Sequence, residues 1–195
     1  MIYNEVQEMV DNNQYTSGRV TESNTMQSDQ YVLYISNEGM KHILDRHSDE
    51  YAPGSTFVQG TDFMSYLQNV ISTPATEVDA RGMVKWMEVD LGQIIGAMGV
   101  KYDDPAKVEK MKDYVMPGGR MERVKVAAGN REPTSLLSVI TANIGKTKDG
   151  RDVLSLVTMF PGTNTIGGHA LPFDRGQFAS QGFYFALPED SPMLG

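Results

Sequence analysis

Val153-Leu154-Ser155-Leu156-Val157-Thr158-Met159-Phe160 is a run rich in β-branched, aliphatic and aromatic residues. Its composition predicts a strand. In an extended chain Ser155, Val157 and Met159 share one face, and Leu156, Thr158 and Phe160 share the other. A similar run at 136–143 precedes it, and the connecting Gly145-Lys146-Thr147-Lys148-Asp149-Gly150-Arg151 contains an Asp-Gly pair, the sequence sign of a hairpin. Residues 84–90 and 121–127 read as further strands. A meander of about four strands therefore occupies the second half of the chain.

Working back from that hairpin, the first half is helical. Ile2, Val6, Met9 and Val10 predict a short helix over residues 2–12, and the polar stretch to Gln30 reads as a loop. Tyr31-Val32-Leu33-Tyr34-Ile35 is a strand candidate. Ser36 or Asn37 then caps a helix that fades near Asp49, and Thr61 caps another from Asp62 to Ile71. A short helix is expected over 105–115, entered at Pro105, with a turn at Pro117-Gly118-Gly119. The aromatics of the last segment, from Phe173 to Phe185, predict a tail that packs back on the domain. The expected class is α+β: helices first, then a roughly four-stranded antiparallel sheet. The chain divides into a lead (1–30), a core (31–161) and the packed tail (162–195).

The absence of cysteine from the 195 residues excludes disulfides, thiolate metal sites and cysteine nucleophiles. No apolar run is long enough to span a bilayer, and the acidic amino terminus lacks the regions of a signal peptide. The net charge of −8 is unevenly spread: residues 1–100 carry 14 acidic and 5 basic side chains, whereas 101–151 carry 7 and 11. A basic segment thus lies inside an acidic whole, and phosphate recognition would have to draw on it.

Chemistry concentrates in Gly39-Met40-Lys41-His42-Ile43-Leu44-Asp45-Arg46-His47, which holds two of the three histidines. Histidine titrates near neutrality and suits proton transfer. On a helix His42 and Arg46 share a face, while His47 lies ~140° around the axis from His42. That angle disfavours a shared metal ion, and Ile43 stands where a zinc-protease glutamate would follow the first histidine. Two readings of His47 stay open: a cationic cap on the helix end, or a residue turned inward once the helix stops. Thr158 likewise reads either as a tolerated β-former or as a hydroxyl donor to phosphate.

Several segments together resemble one family. They are His42-Ile43-Leu44-Asp45-Arg46-His47, Val89-Asp90-Leu91-Gly92-Gln93-Ile94-Ile95-Gly96, Asn130-Arg131-Glu132-Pro133-Thr134 and Val157-Thr158-Met159-Phe160-Pro161-Gly162. Their order is similar to that in phage and polymorphic-toxin nuclease domains of the barnase–EndoU–colicin–RelE-like superfamily, the BECR-like fold. The resemblance spans roughly residues 31–187 through short motifs. It implies a metal-independent endoribonuclease with no cofactor, cleaving RNA by 2′-hydroxyl attack to a 2′,3′-cyclic phosphate. By matching positions, His42 and His47 would be acid and base. Arg46 and Arg131 would hold phosphate, with Thr158 as hydroxyl donor and Lys125 or Arg123 as further cations. RNA and an immunity protein are the implied partners, and cytoplasmic action follows from the RNA substrate alone. The acidic balance supports an alternative: a non-catalytic binding or virion-associated protein of the same fold, meeting a basic partner through its acidic face. A metal-dependent hydrolase using His42, His47 and Asp49 or Glu50 is the third expectation.

Overall fold

The computed structural model describes residues 1–102, 110–116, 118–166, 169–171 and 175–195. The chain is mixed α+β and richer in strand than in helix. It divides into two compact units: residues 1–43, 62–89 and 138–159 form the first, and 44–61, 90–137 and 160–195 the second.

The first unit is built on a six-stranded sheet in the order Thr25–Gln27, Tyr31–Tyr34, Asp152–Pro161, Leu136–Lys146, Met83–Asp90, Glu77–Val78. The opening run is thus an interior strand. The turn after Lys146 closes as its sequence dictates. The Thr147 amide donates to Arg151 O (2.9 Å), and Gly150 takes φ +93°, a conformation open to glycine at little cost. Tyr31–Tyr34 runs parallel to Asp152–Ser155, which departs from the expected all-antiparallel meander. Helix α1 (Ile2–Asp11) presents Val6 and Val10 to Val20, Val32, Tyr34 and Val153. Trp86 is fully buried, and its Nε1–H donates to Thr73 O (3.0 Å).

Helix α2 (Asn37–His47) starts at Ser36, whose Oγ accepts from the Gly39 amide (3.0 Å), as its sequence predicts. The same hydroxyl donates to Leu156 O (3.1 Å). Helix α3 (Phe63–Ile71) is capped by Asp62, not Thr61: the Ser65 amide donates to Asp62 Oδ1 (3.1 Å). A carboxylate is the stronger acceptor for an exposed helix-end amide. The polar lead is not all loop, since Thr25–Gln27 pairs with Tyr31–Tyr34.

The second unit holds a four-stranded sheet in the order Val100–Tyr102, Phe183–Leu187, Met121–Ala128, Lys110–Val115, and a three-stranded sheet of Glu132–Thr134, Gly96–Met98 and Thr56–Phe57. A two-stranded pair, Thr165–Ile166 with His169–Ala170, is the remaining sheet among the described residues. The single sheet of roughly four strands expected from sequence is therefore replaced by sheets of six, three, two and four. Lys110–Val115 is a strand where a helix was expected; residues 103–109, including the proposed start at Pro105, lie outside the described residues. Met111 and Val115 are four apart, which reads as helical, but cross-strand pairing with Lys125 and Met121 fixes a period of two and turns Tyr114 inward. Phe183, Phe185 and Leu187 pack on Val124, Val126 and Tyr114, with Phe178 from helix α4 (Arg175–Ser180) set edge-on to both phenylalanines. The aromatic tail thus supplies an interior strand of this sheet. Among the described residues no helix is long and apolar enough to cross a membrane.

Candidate functional site

The first unit positions His42 and Thr158. On α2 the residues Gly39, His42 and Ile43 fall at i, i+3 and i+4, a single stripe, with Gly39 and Ile43 buried and His42 partly so. The stripe is seated by Gly39: a Cβ built there would lie 2.1 Å from Leu156 O, so only glycine lets the helix backbone approach this strand so closely. Thr158 follows Leu156 by two residues and therefore shares its face of the strand. It is 7% exposed, and its Oγ1 has no hydrogen-bond partner among the described residues. The neighbouring buried hydroxyls are satisfied: Ser36 on Leu156 O, Thr16 on Ser155, Thr141 on Val84 O. An orphaned hydroxyl in such a sheet calls for an explanation, because most buried polar groups are paired.

The second unit holds the remaining candidates, and its three candidate arginines are engaged by protein oxygens. Arg46 makes a forked ion pair with Glu122 (2.7 and 3.3 Å), both side chains being less than one-fifth exposed. Arg123 is paired with Asp113 at 3.4 Å and is well exposed. Arg131 donates through Nη1 to Thr56 Oγ1 (2.7 Å), through Nη2 to Ala52 O (2.6 Å) and through Nε to Ala186 O (3.4 Å). Burial pulls its pKa down from the ordinary guanidinium value, opposed by Asp49, Glu50 and Tyr114. Lys125 is half-buried on Met121–Ala128. His47 donates from Nδ1 to Ser55 O (2.7 Å) and its ring lies 5.9 Å from that of Phe160. That bond ties the helix end to the following loop. Asp49, offered as a metal ligand, instead accepts from Tyr114 Oη (2.9 Å). Among the described residues no three His, Asp or Glu side chains converge as a metal site.

His42 and Thr158 therefore belong to one unit, and Arg46, His47, Arg123, Lys125 and Arg131 to the other. The guanidiniums of Arg46, Arg123 and Arg131 are each held by different oxygens and do not share an anion. Two structural features are not singled out by the sequence reading. Gly39 had a usable signal, a lone glycine within a helical pattern. The small-residue run Ala127-Ala128-Gly129 had none beyond its composition. No protein-family model, curated protein or solved structure matches the chain.

Proposed function

We propose that this chain is a metal-independent endoribonuclease of phage or toxin type, with His42 and Thr158 as the groups that meet the scissile phosphate. The observation that carries the reading is the buried, unpartnered Oγ1 of Thr158. Leaving such a hydroxyl unsatisfied costs about 1–3 kcal/mol, and valine fills the same volume without that cost. A hydroxyl kept under those terms fits a donor reserved for a ligand oxygen. The close seating of α2 on the same strand at Gly39, with His42 one turn further along the buried stripe, supports pairing the two residues.

In the proposed reaction neutral His42 takes the ribose 2′-hydroxyl proton. The 2′-oxygen bonds to phosphorus and the bond from phosphorus to the 5′-oxygen breaks. The departing 5′-oxygen takes its proton from solvent water, and protonated His42 returns its own to the resulting hydroxide, leaving a 2′,3′-cyclic phosphate. Thr158 donates to a non-bridging oxygen as charge develops there. A cytoplasmic place of action follows only from an RNA substrate.

A second reading has its own support. Arg46, Arg123 and Arg131 are engaged by protein oxygens, as in a domain that keeps the fold to bind a partner. In that reading the acidic first hundred residues meet a basic protein. Labelled RNA incubated with the purified chain in EDTA separates the two. Cyclic-phosphate ends that disappear in His42→Ala support the nuclease; intact RNA with wild-type protein leaves the binding module.

A further inference from the structure

The proposed chemistry leaves Arg131 unused. Its three hydrogen-bond acceptors are neutral oxygens: Thr56 Oγ1, Ala52 O and Ala186 O. A guanidinium carries five N–H donors, so two have no acceptor among the described residues. None of these bonds is to a carboxylate: Asp49 and Glu50 offset the charge of this half-buried cation without hydrogen-bonding to it.

The same side chain lines a cleft of about 480 Å³ in the second unit, within the range of small-ligand sites. The hollow exists because its floor is made of small residues. Ala128, Gly129 and Ala186 border it, and a Cβ built on Gly129 would touch only the Ala186 methyl, at 3.6 Å. Lys101 pairs in register with Tyr184, two residues before Ala186 on the floor strand, so a second cation borders the cleft. Its ammonium is ion-paired with Glu132, whose side chain is 69% exposed. A well-solvated carboxylate holds such a partner weakly and is readily displaced.

We propose that this cleft binds a small oxyanion-bearing ligand, a phosphate or carboxylate head group, with Arg131 as a rigid forked donor and Lys101 as the second cation. Glu132 is the internal competitor for Lys101. Three anchoring bonds pre-set the Arg131 fork, so little side-chain freedom is lost on binding. The small floor residues admit the ligand body beside Tyr184. This site is independent of His42 and Thr158, all of its residues lying in the other unit.

The test is amide NMR of the full ¹⁵N-labelled chain, titrated separately with inorganic phosphate and with acetate. Saturable shifts at residues 128–131 and 184–186 are expected. The anion that binds more tightly identifies the head group. Glu132→Gln should tighten binding about threefold by removing the competitor, and Lys101→Met should weaken it by a similar factor. Gly129→Leu should abolish it by filling the hollow, while His42→Gln leaves it unchanged. A purely structural Arg131 predicts none of these changes. The proposal is overturned by the absence of saturable shifts with both anions, or by identical titrations in wild type, Glu132→Gln and Gly129→Leu. Failure of RNA cleavage does not bear on it.

Discussion

Replacing Gly39 with alanine sets two effects of opposite sign against each other. Helix propensity alone favours alanine by up to about 1 kcal/mol. The structure opposes it: the new methyl would stand 2.1 Å from Leu156 O, 3.0 Å from Leu156 C and 3.1 Å from Ser36 Oγ, where ordinary contact begins near 3.4 Å. The carbonyl belongs to an interior strand and already accepts from Ser36, so relief requires the start of α2 to move by about 1 Å. Overpacking of this kind costs about 1–3 kcal/mol, and displacement also weakens the Ser36 cap. The net expectation is a loss of about 1–2 kcal/mol, or roughly 2–8 °C in Tm for a chain of this size. Calorimetry on wild type and Gly39→Ala measures it, with amide spectra reporting shifts around Ser36 and Leu156. An unchanged or raised Tm, with those amides unmoved, would refute the argument that glycine is required for the helix to seat.

Other expectations follow from particular contacts. A double-mutant cycle on Arg46 and Glu122 should give a coupling of about 1–3 kcal/mol in urea unfolding, because the pair is forked and mostly covered. The exposed Arg123–Asp113 pair should give no more than about 0.5 kcal/mol, and equal couplings would contradict the burial argument. Asp79 is partly desolvated, which raises its pKa, but the Met83 and Arg81 amides and the Arg81 guanidinium outweigh this and lower it to about 2 from 3.8. A depressed carboxyl stabilises above its unfolded pKa and loses that contribution as pH falls through its folded one. The stability gap between wild type and Asp79→Asn should therefore shrink as pH drops from about 4 to about 2. A constant gap across that window contradicts the assignment.

Some local signals are legible where one residue and its near neighbours decide the outcome, although the cap of α3 falls on Asp62 and not on Thr61. Ser36 caps α2 because an oxygen placed just before a helix finds the amide three residues on. Gly150 closes the hairpin because glycine accepts its backbone angles. Sheet membership was not legible, since it depends on partners far along the chain. Nothing within Tyr31–Tyr34 marks it as the parallel neighbour of Asp152–Pro161. Lys110–Val115 looks helical until Met121–Ala128 is placed beside it. The candidate site divides in the same way. That His42 falls on the Gly39–Ile43 stripe is visible from spacing. The commitments of Arg46 to Glu122 and of Arg131 to Ala52, Thr56 and Ala186 span 55 to 79 positions and leave no trace in a linear reading. The orphaned state of Thr158 is a property of all the groups around it, so no local pattern announces it.

Thr158→Val tests the central claim most directly, because it predicts stability and activity moving in opposite directions. Removing an unsatisfied buried hydroxyl at constant volume should raise stability by about 1–2 kcal/mol. If that hydroxyl serves the phosphate, cleavage of labelled RNA in EDTA should fall by about 10²-fold or more in the same variant. The account predicts a higher Tm together with lost cleavage. A higher Tm with cleavage unchanged, or a lower Tm, would contradict it.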